Sequence, residues 1–246
     1  MLKYNGNILK WNGKWGNVAA TPVPPTTTVL DEMQFIYLAN NFDGTSIPNS
    51  TRNTNTDMGE YLAAGTLTKN GSGSNCYLTN NVDYNNYLYT TITSEQLNKM
   101  KAANSVYTFF MRVMQDTSTT NGGIVSWRWN GGGYNYMLRC ANKRLQVHTT
   151  GGRTLGSDFS LATDNVYKVE VNASIITAKN LTTDVSTVAS TVANTRTMGT
   201  TMTSFNAGYS GEGYLDKFFG IAGIDRATTA EEDTLIKNHL MSQGVS

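Results

Sequence analysis

The sequence predicts an all-β protein, two antiparallel sheets packed as a sandwich, with a small β-meander in front and one short helix behind. Three observations carry the prediction. The chain has 23 glycines and 13 tyrosines but only 15% charged residues, and Thr, Asn and Ser abound, a mixture of strands and turns rather than of helices. Short apolar or alternating runs recur between turn signals at intervals that suit an antiparallel sandwich. Near the end, residues 214–224 are mostly apolar, aromatic or small, as in a strand covered on both faces, and they run straight into a helix start. Thr229 stands three residues before Glu232, the capping-box spacing. Leu235, Ile236, Leu240 and Met241 then share one helical face, and Gly244 stands where a C-cap glycine would.

At 246 residues the chain is long enough to bury a sizeable core as one sandwich. Its net charge of +1 offers no basic field for DNA or RNA. Such a low-charge, Asn- and Thr-rich surface suits neutral hydrogen-bonding partners or packing against copies of itself. The N-terminus lacks the apolar core of a signal peptide and no apolar run reaches transmembrane length, so a soluble protein without an N-terminal export signal is expected. Cys76 and Cys140 are too few for a disulfide framework. Two readings stand for them: a pair of buried free thiols, or one bridge across the sandwich.

Taken in order, residues 1–18 form a unit. Asn5-Gly6 and Asn12-Gly13 are strong hairpin signals, and they frame a three-stranded meander too small to be stable alone. It presents Leu2, Tyr4, Ile8, Leu9, Trp11 and Trp15 for burial against its own domain or against something else. Residues 19–29 hold three of the four prolines and read as a semi-rigid linker. Residues 30–246 are the body. Strands are expected at 35–39, 59–68, 76–78 and 87–92, with a polar surface loop over 45–57 and a helical turn or two over 94–103. The strongest strand is 106–114, in which Tyr107, Phe109, Met111 and Val113 share one face. A strand–turn–strand pair follows around Asn130-Gly-Gly-Gly, then strands at 144–149, 166–172, 175–180 and 185–192.

This order resembles the laminin-G-like branch of the concanavalin A-like lectin/glucanase superfamily, over about residues 30–243. The closing phrase Asp225-Arg-Ala-Thr-Thr-Ala-Glu-Glu carries most of the resemblance, with Asp225 in place of the usual aromatic and Asn165-Val-Tyr in place of a Trp-His. It implies a jelly-roll sandwich. The opening Met1-Leu-Lys-Tyr-Asn-Gly resembles virion proteins of phages that infect gut Bacteroidales. That implies a fibre, head-fibre or decoration protein on the virion surface, made in the host cytoplasm. Leu2, Tyr4, Ile8, Trp11 and Trp15 would attach it to other virion proteins, and trimeric assembly would be common for such an appendage.

The chemistry of an enzyme was sought in the residues. A β-glucan hydrolase of this superfamily would carry Glu-x-Asp-x-x-Glu on one strand, its carboxylates about 5 Å apart, and no such string occurs. Glu212 and Asp216 share a strand side, but they read rather as a polar turn and a solvated strand end than as a carboxylate pair. His148 and His239 lie in separate motifs, with no Gly-x-Ser-x-Gly, which argues against a nucleophilic triad. Laminin-G-like domains often hold a calcium ion, so structural calcium is open, but Asp43, Asp83 and Asp216 show no ligand spacing and no metal is assigned. A binding surface fits better. Sugars stack on aromatic rings and hydrogen-bond to Asn, Asp, Gln or Arg. Trp129, Asn130, Tyr134 and Tyr136 at a hairpin tip supply that mixture, with Trp127 read as core or as tip. Tyr84, Tyr87 and Tyr89 form a second candidate and Tyr209 a third. The expected function is non-catalytic binding of bacterial surface polysaccharide, with no cofactor, nucleic acid or membrane. The rivals are a glycan-degrading hydrolase and a purely structural decoration protein.

Overall fold

The structure is a computed structural model that describes residues 28–81, 83, 85–100, 106–116, 122–129, 134–148, 152–154, 159–172, 175–190, 198–205 and 215–245, together with Lys3–Tyr4 and Asn7–Ile8. In chain order the strands are β1 (Lys3–Tyr4), β2 (Asn7–Ile8), β3 (Phe35–Leu38), β4 (Ser46–Ile47), β5 (Tyr61–Ala64), β6 (Thr68–Asn70), β7 (Tyr77–Thr79) and β8 (Tyr87–Thr91). Helix α1 (Ser94–Met100) comes next, then β9 (Tyr107–Met114), β10 (Gly122–Trp129), β11 (Tyr134–Ala141), β12 (Arg144–His148) and β13 (Gly152–Thr154). The chain continues through β14 (Asn165–Val171), β15 (Ile175–Asn180), β16 (Val185–Ser190), β17 (Met198–Phe205) and β18 (Lys217–Ile224) to helix α2 (Ala230–Ser242). It is a β-sandwich of two antiparallel sheets with a short C-terminal helix. The front sheet runs β13-β12-β11-β10-β17-β8-β5-β4, and the back sheet β16-β15-β14-β9-β18-β7-β6 with β3 also paired to β18.

The back sheet is covered twice. Its inner face meets the front sheet in a core that includes Tyr37, Tyr107, Phe109, Met111, Val113 and Phe218. Its outer face carries Ile36, Leu38, Phe110, Val166 and Ala222 against Ile236 and Leu240 of α2. This double cover is why β9 and β18 read as continuous apolar runs. Gly223 sits where Phe35 crosses β18, and a Cβ there would lie 2.5 Å from the Phe35 ring. Between the sheets, Tyr37 stacks on Tyr61 at 4.6 Å, and the Tyr61 hydroxyl meets Ser204 Oγ at 2.7 Å.

The helix is capped as its sequence prescribes. Thr229 Oγ1 accepts from Glu232 N–H, while the Glu232 carboxylate accepts from Thr229 N–H. Arg226 fixes the approach, with pairs of 2.7 Å to both Glu32 and Glu232. Asp225, standing where resembling domains carry an aromatic, pairs with Lys99 at 3.2 Å. At the far end the αL residue is Gln243 (φ 55), followed by Gly244 with φ 71, so the cap falls one residue earlier than the glycine predicted. Leu235 is 49% exposed and lies off the buried face, which Ile236 and Leu240 hold with Met241 partly buried beside them.

Other expectations are corrected. The single strand read over 59–68 is two strands in opposite sheets. The chain crosses between them at Gly65, whose φ of 69 favours glycine. The polar stretch 45–57 contributes β4, whose residues are both buried, and its Asn49 side chain binds Ile36 N–H, Gln34 O and Met58 O. Strands β13 and β17 were not anticipated. The β1–β2 hairpin pairs Lys3 with Ile8 and Tyr4 with Asn7; the third strand of the expected meander lies outside the described residues. Cys76 and Cys140 are both buried and free, which decides for the thiol pair over the bridge. Burial raises the Cys76 pKa and pushes that of Cys140 up to about 12.

Arg112 joins the layers. Its side chain is 2% exposed. Nε donates to Asp164 Oδ1 at 2.8 Å and Nη2 to Oδ2 at 2.5 Å. Nη1 donates to the carbonyls of Ser74 (2.7 Å), Met241 (3.0 Å) and Leu240 (3.3 Å), and the guanidinium lies 4.4 Å over Phe219. Arg112→Met strands those carbonyls and the Asp164 carboxylate. We expect it to cost about 3–5 kcal/mol in urea unfolding. Arg226→Met, which removes pairs at a 36% exposed side chain, should cost less than about 1 kcal/mol.

His239 is half-buried and its Nε2 is buried without a hydrogen-bond partner among the described residues. Burial, with the Arg52 charge adding to it, holds its pKa below the ordinary value. The unfolded chain therefore binds this proton first, near pH 6.5, and stability should fall as pH drops below that point until the folded pKa is passed. Melting curves from pH 8 to pH 5 should show a smaller acid loss for His239→Gln than for the parent; parallel losses would remove His239 as the cause.

Candidate functional site

The back sheet is covered by α2 on its outer side, and the candidate residues lie on the outer side of the front sheet. Its residues are set by alternation. On β8, Leu88 and Thr90 point into the core, at 0% and 2% exposure, and Tyr87, Tyr89 and Thr91 take the other side. On β17, Met202 is in the core, so Thr201 and Thr203 take the outer side.

The register then aligns residues that are far apart in sequence. Leu62 pairs with Tyr89, Tyr89 with Thr203, Thr203 with Ser126, and Ser126 with Tyr136. One lateral row thus crosses β5, β8, β17, β10 and β11. From Tyr89 to Tyr136 it spans three strand intervals, about 14 Å, the length of a short oligosaccharide. Two of the sequence candidates, the tyrosine cluster and the hairpin strands, fall on this one row.

The row has an apolar end and a polar middle. Leu62 is 38% exposed. Tyr89 is half-buried, its ring 5.9 Å from that of Tyr87 and tilted by 56°. Between the tyrosine positions lie two small hydroxyl residues, Ser126 and Thr203, at 0% and 1% exposure. Ser126 Oγ and Thr203 Oγ1 are buried and make no hydrogen bond among the described residues. A buried hydroxyl without a partner costs about 1–3 kcal/mol. Two of them side by side are a local deviation from the rule that buried polar groups are satisfied. Their inner-side neighbour Ser204 is by contrast fully used, meeting Tyr61 Oη and donating to Ile124 O.

The remaining sequence candidates fall as follows. Trp129 is the last residue of β10 and pairs with Met198, while Tyr134 opens β11 opposite Arg128. Asn130, Tyr84 and Tyr209 lie outside the described residues, as do Leu2, Trp11, Trp15 and Glu212. Tyr4 and Ile8 are in the β1–β2 hairpin. Among the described residues no group of three or more His, Cys, Asp or Glu is placed to hold a metal ion. The side chain of Asp43 folds onto Thr45 and Ser46, and that of Asp83 onto Asn85. Asp216 N–H donates to the buried Gln115 Oε1 at 3.0 Å.

The sequence reading missed Leu62, Ser126 and Thr203. Nothing in a lone serine or threonine marks it, but the Thr-rich run at 200–203 has the β-propensity that could have found β17. A hollow of about 350 Å³ on the opposite side, between α2 and the β15–β16 turn, was also missed. Its cations are already engaged: Lys179 pairs with Asp184 at 2.6 Å, and Lys237 donates to Leu181 O at 3.3 Å.

No protein-family model and no curated protein sequence matches the chain. Solved structures share its fold. Against the receptor-binding domain of the botulinum neurotoxin C/D mosaic serotype the TM-score is 0.58 at 9% identity, over 85% of this chain and 51% of that one. Against Trypanosoma rangeli sialidase in complex with sialic acid it is 0.61 at 8% identity, over 87% and 34%. Against domain 4 of a GH43 extracellular arabinanase from Geobacillus stearothermophilus, in complex with arabinotriose, it is 0.54 at 8% identity, over 84% and 98%. The chain therefore spans about half of the toxin structure and about a third of the sialidase. In each comparison it is similar as a two-sheet β-sandwich.

Proposed function

We propose that the protein is a non-catalytic glycan-binding module whose site is the outer face of the front sheet. The observation that carries this reading is the row from Leu62 through Tyr89, Thr203 and Ser126 to Tyr136. Aromatic residues suit the apolar faces of sugar rings. The neighbours lend support: the arabinanase domain, covered almost end to end, is seen with arabinotriose, and the toxin neighbour is a receptor-binding domain.

The finer reading places this module on a phage virion as a fibre, head-fibre or decoration protein, on the surface of the particle. Its head would bind bacterial surface polysaccharide and residues 1–18 would anchor it, as a homo-oligomer. The resemblance of the first residues to virion proteins supports this, as does the aromatic content of a segment too short to bury it.

Tyr89→Ala tests the site. With Tyr136→Ala it should abolish retention on a bacterial glycan array while the melting temperature changes little, since Tyr89 stands on the outer side of its strand. Unchanged retention would remove this face from consideration. Deleting residues 1–20 tests the anchor. Light scattering should show a smaller assembly with the same unfolding transition; loss of folding would make the segment part of the core instead.

A further inference from the structure

Among the described residues the two sheets end on four edge strands, β4, β6, β13 and β16. An open edge is a row of unpaired backbone donors and acceptors, and folds guard it by shortening the strand or by placing a charge, a proline or a bulge there. The first three are guarded. β4 is two residues long and both are buried. β6 and β13 are three residues long, and each carries a basic residue, Lys69 and Arg153. β16 is six residues, Val-Ser-Thr-Val-Ala-Ser, with no charge and no proline. It follows β15 from Val185 to Ser190 without a register shift, so no bulge turns it away.

The core also runs out unfinished at this edge. On β15, Ile176, Ala178 and Asn180 share the inner side by alternation, at 3%, 1% and 1% exposure. Their cross-strand partners on β16 are Ala189, Thr187 and Val185. Val185 packs against the core, yet Val185 and Thr187 are only half-buried. Ser186, on the other side, is exposed. The nearest charges cancel: Lys179, beside Ser186 in the register, pairs with Asp184 at 2.6 Å.

We infer that β16 pairs antiparallel with β16 of a second copy of this chain, joining two back sheets into one. A two-fold axis normal to the sheet keeps inner side against inner side, so odd-numbered positions of β16 must face odd-numbered ones. Two such registers keep most of the strand paired, centred on Thr187 or on Val188. The first also covers the half-buried Val185, opposite position 189, and sets Thr187 opposite its own counterpart. No charge then faces a charge along the strand. A foreign strand would be selected by pockets for its alternate side chains; an edge of serine, threonine, valine and alanine suits its own copy. A contact along about 20 Å of edge buries less than the roughly 1,600 Å² of a standard interface, so the dimer is weak and concentration-dependent. The same axis leaves both front sheets on one side of the joined sheet, facing the same way. This contact stands apart from the glycan site and from the anchor at residues 1–18.

Sedimentation of the full chain should show association that rises with concentration. Hydrogen exchange should slow at residues 185–190 between dilute and concentrated samples. Thr187→Lys and Thr187→Glu each set like charges opposite one another, and each should weaken association roughly fivefold or more with nearly unchanged melting. Mixed in equal amounts, the two variants should regain the parent's association, because opposite charges then meet across the axis. A parent that stays monomeric at every concentration would overturn the pairing. Association that leaves exchange on β16 unchanged, or that both Thr187 variants retain in full, would place the contact elsewhere and overturn it too. If the variants fail to fold, exchange on the parent alone decides between the same outcomes.

Discussion

Arg112 is the contact on which the layered arrangement depends. It projects from the middle of the back sheet, and its five hydrogen bonds go to three separate pieces of chain: the Asp164 carboxylate, the Ser74 carbonyl and the last carbonyls of α2. A helix C-terminus carries partial negative charge and unpaired carbonyls. A buried cation answers both at once, and the bidentate carboxylate keeps that cation tolerable away from water. Beside it, the buried Gln243 Oε1 accepts from Asn40 N–H at 3.1 Å and ties the helix end to the chain just after β3.

That closure sets the two sheets apart. Because α2 and the 3-10 turn at Val29–Asp31 lie on the back sheet, Ile36, Leu38, Phe110, Val166 and Ala222 are covered on its outer side. The front sheet is apolar on one side only, and its other side is free to carry tyrosine, threonine, serine and arginine. The asymmetry follows from one short helix with a few buried side chains, each contributing about 1.5–3 kcal/mol by burial.

Much of this was legible in the sequence. The apolar run of β9 and the Thr229–Glu232 box report local physics, and local physics survives folding. What was not legible has non-local causes. β17 reads Met-Gly-Thr-Thr-Met-Thr-Ser-Phe, with no apolar alternation, because Thr203 and Ser204 are buried as hydroxyls within the sheet. β5 and β6 looked like one strand because only three residues, Gly65 to Leu67, separate them, the first of them left-handed. The candidate row could not be read at all: Tyr89 and Tyr136 are brought into line by two intervening strands, and register between distant strands is written in no single segment. The sequence candidates at the hairpin were close to the row, but Ser126 and Thr203 became visible only through their pairing.

The buried thiols have a practical side. The chain has two cysteines in all, and both sit in the core with their thiolate forms suppressed. Alkylating reagents attack the thiolate and need access to it, so the native protein is close to thiol-silent. A cysteine introduced on the front sheet would therefore take a fluorophore or spin label alone, without first removing the natural pair, and would make the outer face open to distance and accessibility measurements in the intact fold.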